Sequence, residues 1–374
     1  MLAMMIAGMC ASVQSSIDHI FGQITGQDVP TRACTDRAFA KARRGLSWQA
    51  FVSLNQTLLR TAAPLIDAHQ WHGLRVVAAD GSRLRVSTRR GADLDADHYA
   101  FALYLPGAEL TLHAALGPAD ACERQMLFEA LDQTAHDDLL VLDRGLIGNT
   151  IAAAITQRQR HFCMRVDASG YACVREFLHS GNTEAIVDLN PPRHADRIDY
   201  ELQDQPTRVR LIRDPTPGGS VRVLMTSLLD SKRYPARTFG DLYHRRWRIE
   251  EAFKRIKHRL RLEAVSGLTH LALQQDFSAK ILADNLHTLL ATAHETTRGQ
   301  DTAPVESRPN RTYAFGALRP ILGGCLLGLS NCIVKLDRTL EIIVRTRCRI
   351  QTGRSYPRTA KNKPHAHSNY KLQC

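Results

Sequence analysis

The chain lacks the cysteine spacing of a metal module or a disulfide scaffold. Its nine cysteines (Cys10, Cys34, Cys122, Cys163, Cys173, Cys325, Cys332, Cys348 and Cys374) are odd in number and contain no Cys-x-x-Cys pair, so neither a zinc site nor a disulfide framework is indicated. Such usage fits a reducing cytoplasmic setting. A membrane-spanning run is missing too. The apolar opening, Met1 to Cys10, is short and has no basic residues ahead of it, while Val13, Ile17 and Ile20 carry a helical pattern onward; we expect neither a targeting segment nor a membrane span. Acidic residues are in deficit, 37 against 49 Lys and Arg, for a net charge of +12. That balance favours a polyanionic partner, because cations that neutralise phosphates release condensed counterions. Asp93, Asp95 and Asp97 lack the glycine and distal glutamate of a calcium loop and read as a solvated loop. His365-Ala366-His367 is too little for a metal site.

What is present concentrates between Leu242 and Leu262. On one continuous helix Tyr243, Arg246, Glu250 and Lys257 fall within an arc of roughly 60° at about 100° per residue. Leu242, Ile249, Phe253, Ile256 and Leu260 form a separate stripe to be buried. A lone carboxylate thus stands in a basic and aromatic row, which suits a glutamate holding a divalent metal while its neighbours, Lys254 included, hold phosphate. Trp247 projects away from the apolar stripe, where it could stack on an unpaired base or pack under another element. Two further acids close apolar strands: Asp80 after Val76–Ala79 in Asp-Gly, and Asp143 after Leu139–Leu142 in Asp-Arg-Gly. Singly, each has a plainer reading: a solvated helix face, a turn, a cap for the helix beginning near Gly148 and Asn149. Their conjunction argues for a shared site.

The spacing Tyr-x2-Arg-x3-Glu-x6-Lys resembles the signature of bacterial insertion-sequence DDE transposases, and the two Asp motifs match that family's first and second acids in order. The resemblance covers about Ser12 to the C-terminus. It implies an α/β fold with a ribonuclease-H-like catalytic core, a mixed five-stranded sheet with helices, interrupted by a β-rich insertion and flanked by helical N- and C-terminal regions. It further implies that Asp80, Asp143 and Glu250 bind two Mg²⁺ or Mn²⁺ ions roughly 4 Å apart for in-line phosphoryl displacement, and that Tyr243, Arg246 and Lys257 contact the terminal phosphate. The implied partners are double-stranded DNA, as transposon ends and target, and a second subunit when assembled on DNA; the implied place is the bacterial nucleoid, with no membrane. Two alternatives remain open: a metal-dependent nuclease of the same fold without strand transfer, and a catalytically inactive, transposase-derived DNA-binding protein.

Along the chain we expect a helical DNA-binding region over 1–73, with an upstream segment missing. Within it, Thr35-Asp36 caps a helix to Arg44 and Ser47 caps another to Ala63, a basic pair (Arg37, Lys41, Arg43, Arg44) that could read DNA. The core occupies 74–166, with strands Val76–Val86, Tyr99–Leu105 and Glu109–Leu116, a helix Cys122–Leu131 bearing Glu123 at a position that is acidic in the family, a fourth strand ending at Asp143, a helix Thr150–Arg158 and a strand His161–Val166. A β-rich insertion is expected over 167–240, since Asp143 and Glu250 lie 107 positions apart against 63 for Asp80 and Asp143. Its strands read Ala185–Leu189, Asp199–Leu202, Thr207–Ile212 and Val221–Leu228, with a turn at Pro215–Gly219. The core resumes over 241–298, where Leu268–His294 reads as a packed helix whose Asp276, Lys280, Asp284 and His287 are satisfied polar groups. A linker, a helix pair within Phe315–Leu340 and a basic tail from Arg345 fill 299–374.

Overall fold

The computed structural model describes residues 1–9, 12–27, 29–86, 88–90, 93–95, 97–146, 148–216, 220–297 and 307–349. Most of the expected basic tail, much of the linker before Thr312 and the centre of the Pro215–Gly219 turn lie outside the described residues. The elements run α1 (Leu2–Ile6), α2 (Val13–Ile24), α3 (Asp36–Arg43), α4 (Gln49–Thr61), α5 (Ala63–Asp67), β1 (Val76–Leu84), β2 (Thr88–Arg90), β3 (Asp93–Asp95), β4 (His98–Leu105), β5 (Leu110–Pro118), α6 (Glu123–Ala130), β6 (Leu139–Leu142), α7 (Asn149–Gln157), β7 (His161–Val166) and α8 (Ala172–Ser180). They continue as β8 (Glu184–Leu189), α9 (His194–Asp199), β9 (Thr207–Pro215), β10 (Val221–Thr226), α10 (Phe239–His244), α11 (Trp247–Arg259), α12 (His270–Thr297), β11 (Ser307–Pro309), α13 (Arg311–Leu326), α14 (Ser330–Arg345) and β12 (Arg347–Arg349). Two compact units result: Met1–Arg60 with Leu84–Asp97 and Lys254–Cys374, and Thr61–Arg83 with His98–Phe253.

The second unit is built on a sheet of order β5-β4-β1-β6-β7-β10-β9-β8. β1, β6 and β7 are parallel neighbours, and all four residues of β6 are fully buried. Strands covered on both faces need apolar side chains at every position, which is why β6 reads as an unbroken Leu-Leu-Val-Leu run. Each such side chain contributes about 1.5–3 kcal/mol relative to exposure. The succession β1, β4, β5, α6, β6, α7, β7, α8 is the one that the ribonuclease-H-like resemblance requires, with β2 and β3, which belong to the first unit and pair with each other, falling between β1 and β4 in sequence only. The β-rich segment adds to this same sheet: β10 pairs antiparallel with β7, and β9 and β8 follow.

Two local expectations change, and the plainer reading of Asp143 as a helix cap falls away. Asp199–Leu202 is not a strand. After Pro191 and Pro192 the chain turns into α9, and Glu201 at φ 52° stops any extended run, so Leu202 is instead tied back by its N–H to the Arg197 carbonyl at 2.9 Å. Asp93 and Asp95 lie in β3, paired with β2, rather than in a loop. The helix after Asp143 is capped by Gly148, so Asp143 is released from that structural duty and is followed by a single 3-10 turn.

The first unit is mainly helical, with the short strand pairs β2–β3 and β11–β12. α12 is buried on most sides, its buried positions including Gln275, Asp276, Lys280, Asp284, Asn285 and His287 beside Leu273, Phe277 and Leu282. Ala279 and Leu282 on it pack with Met4, Met5 and Ile6 of α1, Ile17, Phe39 and Phe51, and farther along Ala291 packs with Ala314, Leu318, Leu340 and Ile343 of α13 and α14. Thr35 caps α3 as the sequence indicates, accepting from the Ala38 N–H at 3.2 Å. Arg43, expected on a basic DNA-reading face, is instead 4% exposed and bonded to Gln275, Asp276 and the Ala272 carbonyl. Its duty is packing. Among the described residues no helix is long and apolar enough to cross a membrane.

Candidate nucleic-acid active site

Parallel pairing sets the first two acids level. Ala78 of β1 pairs with Val141 of β6, and Asp80 and Asp143 each follow two residues later, at the carboxyl ends of adjacent strands where α/β sheets open to ligands. β1 does not turn at Asp80-Gly81 but runs on to Leu84. The glycine answers a close approach instead: a Cβ on Gly81 would stand 2.3 Å from the Tyr99 ring and hydroxyl.

The signature segment is not one helix. α10 ends at His244 and α11 starts at Trp247, with Arg246 N–H bonded to Tyr243 O and Ile249 N–H to Arg246 O, both at 3.1 Å. These i→i−3 bonds tighten one turn. The row survives that change. The Arg246 guanidinium donates to Glu250 Oε1 at 2.9 Å, lies 5.9 Å from the Tyr243 ring centroid and stands 5.2 Å from that of Trp247. The Tyr243 hydroxyl reaches Asp143 Oδ1 over a long 3.4 Å, and burial, the largest influence on it, pushes its pKa up so that it keeps its proton. Arg222, itself paired with Asp214, stacks 4.8 Å from the other side chain of this pair, Tyr243.

Electrostatically the acids meet at Arg246, which feels Asp143, Tyr243 and Asp80 besides its bond to Glu250. Burial raises the Asp80 carboxyl to about 7, with Glu123 and Glu250 adding repulsion and Arg246 relieving it. Glu123 is thus a fourth acid at the site. Its own pKa is pushed up, first by burial, while the Gly81 N–H and the Tyr99 hydroxyl bond to it and Asp143 repels it. The sequence placed it in the first turn of a helix but not beside Asp80; Gly81, needed for the approach of Tyr99, was the available signal. Arg246 is 3% exposed, yet its Nε and Nη1 have no acceptor among the described residues, a costly state for buried donors unless something outside the chain completes it.

Trp247 is 37% exposed, so it is not packed away. Lys254 and Lys257 stand farther along α11; Lys254 is exposed and Lys257 lies 3.8 Å from Glu263. Glu251 is exposed, while Glu263 accepts from the Arg85 N–H. In chemistry, oxygen donors from three separate elements around a carboxyl pushed up to about 7 suit a hard divalent cation. Among the described residues, no three acidic, histidine or cysteine side chains stand together closely enough to hold one ion; Arg246, bonded to Glu250, provides the counter-charge instead.

Against this geometry stand the relatives. Residues 71–286, more than half of the chain, match the family model described as the transposase DDE domain. The transposase InsG for insertion sequence element IS4 of Escherichia coli (strain K12) is 30% identical over 187 residues, 48% of this chain and 41% of that protein. The chain therefore spans about two fifths of the length of the curated relative it matches. Among solved structures, the piggyBac transposase in a synaptic complex with hairpin DNA aligns with 72% of this chain and 57% of its own at a TM-score of 0.41 and 9% identity. With the model running from Trp71 to Leu286 and so across Asp80, Asp143 and Glu250, the chain belongs to the transposase DDE domain family.

Proposed function

We propose that this chain is a DDE transposase that binds the terminal inverted repeats of an insertion sequence and catalyses metal-dependent DNA cleavage and strand transfer. One observation carries the reading: three carboxylates from β1, the end of β6 and α11 converge electrostatically on one buried arginine whose remaining donors lack acceptors. The family generally works with divalent metal ions. In this chain Asp80, Asp143 and Glu250 would hold two Mg²⁺ or Mn²⁺ ions, which when bound supply activation of the attacking oxygen and neutralisation of the leaving one.

The chain's own residues do the rest. Phosphate oxygens at Arg246 would accept from Nε and from Nη1 separately, since these two lie on different edges of the guanidinium on either side of the Nη2 held by Glu250. Tyr243, kept protonated by burial, holds Asp143 in place and offers its ring as a plate for Arg246. Exposed Trp247 supplies an aromatic face for an unpaired base, and Lys254 and Lys257 extend the positive row along α11. Glu123 fixes Tyr99 and Gly81, and through them the backbone that carries Asp80. Two subunits assembled on paired DNA ends complete the reading, since a net charge of +12 keeps free subunits apart until DNA neutralises them.

The decisive experiment incubates purified protein with a labelled double-stranded terminal repeat, a target plasmid and Mg²⁺. Cleaved ends and joined products are expected. Cleavage without joining would demote the chain to a nuclease, and binding without either would leave only a DNA-binding protein. Light scattering with and without the repeat checks assembly, a stable dimer in the absence of DNA being the contrary result.

A further inference from the structure

On the first unit, beyond the signature row, four arginines gather around a single carboxylate. Arg255 and Arg259 lie one turn apart on α11, Asp284 comes from α12, Arg308 from β11 and Arg311 from the first turn of α13. Asp284 is 5% exposed, and Arg255 occupies both its oxygens, Nε to Oδ1 at 2.8 Å and Nη2 to Oδ2 at 2.7 Å. Arg255 thus holds the carboxylate by one lone pair on each oxygen. Arg311 turns one nitrogen to the Thr288 hydroxyl at 3.0 Å.

Arg259 is different. It is partly buried, and no carboxylate lies within ion-pair reach of it among the described residues. The described charges acting on it are Arg255, Arg311 and Arg308, all repelling, and the committed Asp284. Burial and then these arginines hold its pKa below the usual guanidinium range. A guanidinium half withdrawn from water beside three like charges is raised in free energy, and an anion is what would lower it. Arg255, Arg259, Asp284 and Arg311 also line a small cavity with Thr288 and Phe315. At about 20 Å³ it accepts one water-sized atom, which is the room one non-bridging oxygen of a phosphodiester needs, the phosphorus staying at the mouth.

We infer that Arg259, backed by Arg255 and Arg311, forms a phosphate seat for the DNA backbone, separate from the acids and from Tyr243 and Arg246. The inference deepens the DNA-binding reading above and rests on it. Its occupant is a backbone phosphate of duplex DNA; a free inorganic anion shares the chemistry and is distinguished by experiment. Nothing in the seat reads a base, so it contributes to affinity and register rather than to sequence choice.

The test compares the full chain with Arg259→Gln and Arg259→Lys. With a fluorescent terminal-repeat duplex titrated at several KCl concentrations, Arg259→Gln is expected to bind several-fold more weakly at low salt and to flatten the slope of log affinity against log salt by about one unit, and Arg259→Lys to keep most of the slope. Inorganic phosphate at constant ionic strength is expected to raise the melting temperature of the full chain and of Arg259→Lys, but not of Arg259→Gln. Equal slopes for the full chain and Arg259→Gln overturn the DNA assignment even where phosphate stabilises, because the occupant is then a free anion. Equal response of both to phosphate overturns the seat itself. Failure of the unaltered chain to bind any duplex is a separate result, and it strikes the transposase reading while the phosphate arm still decides the seat.

Discussion

Arg43 and Arg246 are almost equally buried, 4% and 3% exposed, yet they are treated in opposite ways. In the first unit Arg43 gives Nε to Gln275 at 2.7 Å, Nη1 to Ser266 and Nη2 to Asp276 and the Ala272 carbonyl, while Asp276 collects the Ser266 N–H and hydroxyl in return. In the second, Arg246 satisfies Nη2 on Glu250 and leaves Nε and Nη1 without acceptors, beside an Asp80 pushed up to about 7. A complete network is what a scaffold needs, since any missing partner there costs stability. An incomplete one is tolerated where a ligand finishes it. Asp284, Lys280 and Asn285 on α12 repeat the first pattern, each bonded inside the unit.

The contrast breaks most visibly if the two kinds of carboxylate are exchanged for neutral isosteres. Asp80→Asn, Asp143→Asn and Glu250→Gln are each expected to cut DNA cleavage by on the order of 10³-fold or more while leaving duplex binding nearly intact. Melting temperature should hold steady, and for Asp80→Asn could rise, because a carboxyl that resists ionisation is removed. A large loss of stability in any of the three would move that residue from the site to the scaffold. Glu251→Gln and Glu263→Gln should do far less.

Asp276→Ala is the reciprocal experiment. It strands the Arg43 guanidinium in the interior, and breaking a buried pair on one side costs about 3–5 kcal/mol. Urea unfolding should show that loss, and Arg43→Met with Asp276→Leu should recover much of it. An Asp276→Ala chain as stable as the original would mean that water reaches Arg43.

Acid should also act on the first unit. His287 is 6% exposed, packs against Phe315 and is held down to about 4, mainly by burial. Its unfolded value is near 6.5. Between these the unfolded chain binds a proton that the native chain refuses, so stability is complete above pH 6.5 and falls as pH drops towards 4, by on the order of 3 kcal/mol. His287→Leu should flatten that part of the stability curve; an unchanged slope would assign the acid sensitivity to other groups.

How far these features could be read in advance follows their range in sequence. The β6 run, the Thr35 cap and the five expected strands are local or periodic, and the register of two parallel apolar runs was enough to bring Asp80 and Asp143 level. The row Tyr243, Arg246, Glu250 was legible from spacing. The break at Arg246 was not, because a choice between i→i−3 and i→i−4 bonding over one turn leaves no mark in residue type. Arg43 reads only as part of a basic pair that could contact DNA, because its partner Asp276 lies 233 positions away and no periodicity spans that distance. Asp93 and Asp95 read as a loop in sequence, since three residues per strand are too few to show alternation.

The smallest expected effect sharpens the comparison most, because it asks what completes Arg246. If a phosphate oxygen does, Arg246→Gln removes one counterion-releasing contact, and the slope of log affinity against log salt should flatten by about one unit. Lys257→Ala should do the same if its ammonium, 3.8 Å from Glu263, turns to DNA rather than to that carboxylate. Arg43→Gln is the control: a buried arginine with every nitrogen engaged has no contact to lose, so its slope should match that of the unaltered chain even though the variant melts lower. Measurement at a temperature well below all the melting points separates the two effects. A slope unchanged by Arg246→Gln but shifted by Arg43→Gln would reverse the assignment, making Arg246 the structural arginine and Arg43 the one that DNA reaches.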